Sequence, residues 1–167
     1  MKYLPKETLT FKTNLKEDEV ITRLAHSIEP EKLIRSGLFG FGGAKPYEGK
    51  ITGYTFSIKR IIKYRNSFLP RIIGQVERDM QGTSIKVKVR LQIFVLVFLF
   101  VWCSGALIGL FFIAKNVIVN KAFDPWFFMP IGMLLFVYIL TIAAFKYESS
   151  KSKKDLKTLF EAEMIEG

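Results

Sequence analysis

The residues best suited to chemistry in this chain are cations. Positions 45–92 carry eleven Lys or Arg against Glu48, Glu77 and Asp79, most of the whole chain's net charge of +10. Lys86, Lys88 and Arg90 recur at every second position. On a strand that spacing puts all three on one face, at steps of about 6.6 Å. Lys59, Arg60, Lys63 and Arg65 form a second cluster, interrupted by Ile61, Ile62 and Tyr64. Converging ammonium and guanidinium groups suit anionic lipid headgroups, a phosphate-bearing ligand or an acidic partner. The plainer alternatives are topology and solubility for the first group and a solvated loop for the second. Nucleic acid is disfavoured, because no binding motif accompanies the charge.

Catalytic chemistry finds little material. The one histidine, His26, follows Ala25 on a predicted helix, away from any nucleophile motif, and reads as a surface residue. The one cysteine, Cys103, excludes an internal disulfide and any multi-cysteine metal site. Ser104 lies beside it in an apolar run. Carboxylates at Glu17, Asp18 and Glu19, and at Glu161, Glu163 and Glu166, fit solvated helix faces. Gly40-Phe41-Gly42-Gly43 lacks the strand-to-helix setting and the Gly-Lys-Ser/Thr ending of a phosphate loop. Phe39 and Phe41 there either pack on the domain or dip into a membrane interface. No catalytic residue, cofactor site or metal site is predicted.

The elements that must position the cations are set by hydropathy. Residues 93–114 and 126–145 contain no charged side chain. A hydrocarbon core about 30 Å thick needs roughly 20 helical residues, so each segment is long enough to span it. The alternative, a buried hairpin in a soluble protein, normally keeps a polar stripe on its helices. Residues 1–12 hold no continuous apolar run, so no cleavable signal peptide is expected. Arg78, Lys86, Lys88 and Arg90 precede the first segment, and Lys146, Lys151, Lys153, Lys154 and Lys157 follow the second. The connection, residues 115–125, holds only Lys115 and Lys121 against Asp124. The positive-inside bias then predicts both termini in the cytoplasm, with the protein multi-pass in the inner (plasma) membrane. Gly105 and Gly109 form a G-x-x-x-G in the first segment, suited to close packing with the second segment or with another protomer.

Residues 1–92 read as an α+β cytoplasmic domain with a small antiparallel sheet and packing helices. Residues 8–13 alternate as a strand. Asn14 and Glu17 then suggest a helix start, with Val20, Ile21, Leu24, Ala25 and Ile28 at helical spacing. Pro30 ends or kinks that helix, and Leu33 and Ile34 continue it as far as Gly37. Residues 37–49, with five glycines, read as a loop. Strands are expected over 51–58, 70–78 and 83–91, the last two joined by a turn at Asp79–Gly82. Residues 146–167 are expected to start a new helix near Ser152 and Asp155. Its stripe of Leu156, Leu159, Phe160 and Met164 would pack back on the sheet. The domain is thus split by its own two-helix transmembrane hairpin. The order strand–helix–strands–helix resembles helix-grip lipid-binding folds, with fewer strands.

These features predict a non-enzymatic integral membrane protein whose basic domain binds a partner, anionic lipid or a phosphate-bearing ligand at the membrane face. A homo-oligomer or a membrane-protein partner is also compatible. The rival from another class is a ligand-triggered, membrane-disrupting effector or small pore. An enzyme acting on lipid ranks third.

Overall fold

A computed structural model of the chain describes residues 5–30, 45–62, 66–80, 82–120 and 125–165. The fold is α+β, with a seven-stranded mixed sheet and three helices, two of them long and apolar. Strand β1 (Lys6–Thr13) leads into helix α1 (Glu17–Ser27), then β2 (Ile28–Pro30), β3 (Tyr47–Thr52), β4 (Thr55–Arg60), β5 (Arg71–Asp79) and β6 (Gly82–Arg90). Helix α2 (Ile93–Asn120) follows. A short 3-10 turn (Pro125–Phe127), helix α3 (Phe128–Leu159) and strand β7 (Glu163–Ile165) complete the chain. The sheet order is β2-β3-β4-β5-β6-β1-β7. The pairing of β2 with β3 is parallel, and the other pairings are antiparallel.

Local chemistry accounts for the elements. The Lys16 amide donates to the Glu19 carboxylate at 3.0 Å, so α1 starts two residues later than Asn14 would have placed it. Glu17, Asp18 and Glu19 in its first turn complement the helix dipole. The helix stops at Ser27 because Ile28 already pairs with Tyr47. The continuation at Leu33 and Ile34, and most of the glycine-rich segment, lie outside the described residues. Residues 47–49 of that expected loop are strand. The strand expected over 51–58 is instead the hairpin β3–β4. Gly53 supplies a φ of +57° at the turn, and Tyr54 beside it is exposed. The turn between β5 and β6 falls where expected, with Asp79 opposite Gly82.

The core lies on one face of the sheet. Leu9, Phe11, Phe56, Ile58, Ile72, Val76, Ile85, Val87 and Val89 pack beneath Val20 and Leu24 of α1 and Phe145, Leu156 and Phe160 from the C-terminal part of the chain. Phe160 meets two sheet rings, Phe11 at 6.4 Å between centroids and Phe56 at 6.2 Å. Gly74 makes room for Phe56, since a Cβ at position 74 would fall on that ring.

The C-terminal helix corrects one expectation. No new helix begins at Ser152. α3 runs unbroken from its apolar half to Leu159, and the Ser152 hydroxyl donates to the Glu148 carbonyl one turn back, inside the helix. Leu156 and Phe160 pack on the sheet as expected, while Met164 belongs to β7.

α2 and α3 include stretches long and apolar enough to cross a membrane, Ile93–Val119 and Pro125–Leu159. Only 6% and 11% of their most apolar windows are buried, so the rest of the domain does not cover them. Val95 is the one buried residue along 93–119.

Candidate functional site

The face of the sheet opposite the core carries no helix among the described residues, and its side chains are sorted by charge. Backbone register sets Lys59 opposite Arg71, Arg71 opposite Arg90, and Arg90 opposite Lys6. Four cations therefore form one rank across four neighbouring strands, about 14 Å wide at the usual strand spacing. Glu48 lies at the β3 end of the rank, with its Oε1 2.9 Å from the Lys59 ammonium. The next rank runs Lys50, Ser57, Ile73, Lys88 and Thr8. The Arg71 Nε donates to the Ser57 hydroxyl at 2.9 Å, which orients the guanidinium between the two ranks. Lys6, Lys50, Lys88 and Arg90 are exposed.

The opposite end of the same face is neutralised. Lys86 pairs with Glu77 at 2.7 Å and Lys12 with Asp79 at 2.9 Å. The Asp79 carboxyl is held below its usual range by the hydrogen bond from Lys12, with help from the Met80 amide. Glu163 lies opposite Lys12 on β7. The face is thus strongly positive at one end and balanced at the other. The positive end leads into α2: Arg90 closes β6, and only Leu91 and Gln92 separate it from Ile93.

A second charged cluster lies on the covered face and serves a different purpose. Glu148 of α3, fully buried, receives Arg60 Nη1 at 3.2 Å and Asn66 Nδ2 at 3.0 Å. Arg60 Nε also reaches Asp155 at 3.0 Å. On the β1 side, Glu7 Oε2 accepts from Ser149 Oγ at 2.7 Å and Lys153 Nζ at 2.6 Å. Burial alone would raise the Glu7 carboxyl. The hydrogen bonds from Lys153 and Ser149 and the charges of Lys153 and Lys146 outweigh it, so the group sits below its usual range. Burial pushes the nearby Tyr47 phenol up, with Asp155 adding to the effect and Arg60 opposing it. The pairs tie successive turns of α3 to β1 on one side and β4 on the other. A buried ion pair stabilises little by itself, but removing one partner strands the other, so such pairs fix one docking geometry.

The cations singled out in the sequence are therefore divided. Lys59 and Arg60 point to opposite faces: Lys59 joins the open rank, and Arg60 holds α3. Lys63 and Arg65 lie outside the described residues. Lys86, Lys88 and Arg90 share the open face, but Lys86 is neutralised by Glu77. Lys6, Lys50 and Arg71 were missed. Their signal was cross-strand register, which the alternation within one strand does not carry. A Cβ at Gly105 or Gly109 would meet nothing within 4 Å, so the G-x-x-x-G face is not packed on α3. His26 is exposed, and among the described residues no group of three or more His, Cys, Asp or Glu could hold a metal ion. No family model matches the chain, and no curated protein or solved structure matches it.

Proposed function

We propose that the chain is a non-enzymatic integral membrane protein in which α2 and α3 form a transmembrane hairpin and the sheet is a cytoplasmic domain that binds an anionic group at the membrane face. The observation that carries this reading is the junction. Two long, uncovered apolar helices are rooted at the one end of the open sheet face where cations accumulate. The basic flanks of both apolar segments favour both termini in the cytoplasm. A link of two residues, Leu91 and Gln92, joins β6 to α2, and α3 passes without interruption from its apolar half into the domain core. Tilt of either helix is then transmitted to the sheet rather than absorbed by a linker.

The test is extraction of the expressed protein from membranes. The reading expects resistance to alkaline carbonate, release by mild detergent and flotation with lipid. Release by carbonate as a soluble species would contradict it.

A second reading is favoured by the open small-residue face at Gly105 and Gly109. Hairpins of several copies could associate there into a small pore, consistent with the close backbone approach that glycines permit. Dye leakage from vesicles that is lost on Gly105→Leu would support it. A tight bilayer at the same protein density would contradict it.

A further inference from the structure

We infer that the rank Lys6–Arg90–Arg71–Lys59, backed by Lys50 and Lys88, is a site for the phosphate groups of anionic phospholipids at the root of the hairpin. The inference rests on the membrane reading above and names the occupant of the open face.

Three observations carry it. First, the rank is costly by itself. Like charges directly opposite on neighbouring strands destabilise a sheet, and here Arg71 faces Arg90, which in turn faces Lys6. The rank contains one carboxylate, Glu48, at its edge. At the other end of the same strands each exposed lysine has a carboxylate beside it. No carboxylate stands opposite the exposed Lys6, Lys88 or Arg90 in the register, and bound phosphates would relieve their mutual repulsion. Second, its position fits a lipid surface. Ile93 is the third residue after Arg90, so Arg90 lies within about 10 Å of the start of the apolar helix. That is close to the screening length at physiological salt, about 8 Å, beyond which headgroup charge is little felt. Third, the shape suits many headgroups rather than one soluble ligand. Among the described residues no helix covers the rank, which spans about 14 Å, with Lys6 and Arg90 exposed and Arg71 and Lys59 half-buried. A single phosphate compound would be held better by a concave site that encloses it.

The test uses the full-length protein in bilayer nanodiscs of phosphatidylcholine and phosphatidylglycerol in equal parts, with native mass spectrometry of the lipids that stay bound. The rank variant is Lys6→Gln, Lys88→Gln and Arg90→Gln, all exposed positions. The control variant removes the same charge away from the rank, with Lys12→Gln and Lys86→Gln at the far end of the open face and Arg78→Gln at the far end of β5 on its other face. Phosphatidylglycerol should be enriched on the wild-type protein and on the control. On the rank variant the enrichment should fall by up to roughly fivefold per charge removed. Raising salt should shrink the difference between variants.

Equal enrichment on both variants, or none on an embedded wild-type protein, would overturn the lipid site while leaving the hairpin standing. Displacement of the bound lipid by millimolar inorganic phosphate would assign the rank to free phosphate and overturn it too. So would an acidic protein that covers the face in place of lipid. Failure to enter nanodiscs at all would instead count against the membrane reading on which the inference rests.

Discussion

The two faces of the one sheet use the same side chains for opposite ends. On the covered face Arg60 and Lys153 meet Glu148, Asp155 and Glu7, and charge becomes a way to fix where α3 docks. On the open face Lys6, Arg71, Arg90 and Lys88 are arrayed where the sheet leads into α2, with carboxylates gathered at the other end. A surplus of cations in a segment therefore says little about function until each is assigned to a face and a rank. Residues 59 and 60 are adjacent in sequence and separated by the whole sheet in role.

That contrast predicts large effects from the covered face and small ones from the open face. The largest is Phe160→Ala. Phe160 is fully buried against Phe11 and Phe56, and removing such a ring costs about 3–5 kcal/mol. Denaturant unfolding of the detergent-solubilised protein should show that loss. A much smaller loss would mean that the end of α3 is not part of the core. Gly74→Ala comes next. Its Cβ would collide with the Phe56 ring, and overpacking of this kind costs about 1–3 kcal/mol. A shortened side chain at position 56 should partly rescue it, because the two positions share one space.

Acid should act through the clamp on α3. The Glu7 carboxyl is depressed when folded, below its ordinary value of 4.5. A depressed carboxyl contributes stability that is present above its unfolded pKa and lost as pH falls through its lower folded value. The domain should therefore weaken below about pH 4.5. Glu7→Gln should lower stability at neutral pH and flatten the acid dependence. An unchanged acid profile in that variant would remove Glu7 from the account.

The smallest effect belongs to the open face. Lys88→Gln or Arg90→Gln should shift stability by no more than about 0.5 kcal/mol, because surface substitutions away from packed features rarely do more. A clear stabilisation would sharpen the comparison, since it would measure the repulsion stored in the rank.

Much of the fold could be read from the chain, and the misses have physical causes. The strand β6, the turn at Asp79–Gly82 and the two apolar segments follow from alternation, a turn glycine and uncharged length. β2 and β7 are three residues each, too short for a pattern to exceed chance, and they exist because neighbouring strands offer them an edge. The hairpin β3–β4 was hidden because Gly53 interrupts a run that reads as one strand. The continuity of α3 was legible after all. Residues 133–159 contain neither glycine nor proline, and Ser152 with Asp155 imitates a helix start within an uninterrupted helix. The rank was half legible in the same way. Once Asp79 is set opposite Gly82, β5 and β6 pair position by position and Arg71 must face Arg90. Its extension to Lys6 and Lys59 needed the pairings of β1 and β4, which are long-range.

The central claim is that the uncovered hairpin crosses a bilayer and leaves the sheet and both chain ends on one side. Cysteine accessibility in intact cells tests it most directly. Cys103→Ser provides the background, with a single cysteine at Asn120 in one protein and at Ser150, which is exposed, in another. An impermeant thiol reagent should label position 120 in intact cells and position 150 only after the membrane is opened. Labelling at 150 and not at 120 in intact cells would invert the orientation, and labelling at neither until lysis would contradict a hairpin that spans the membrane.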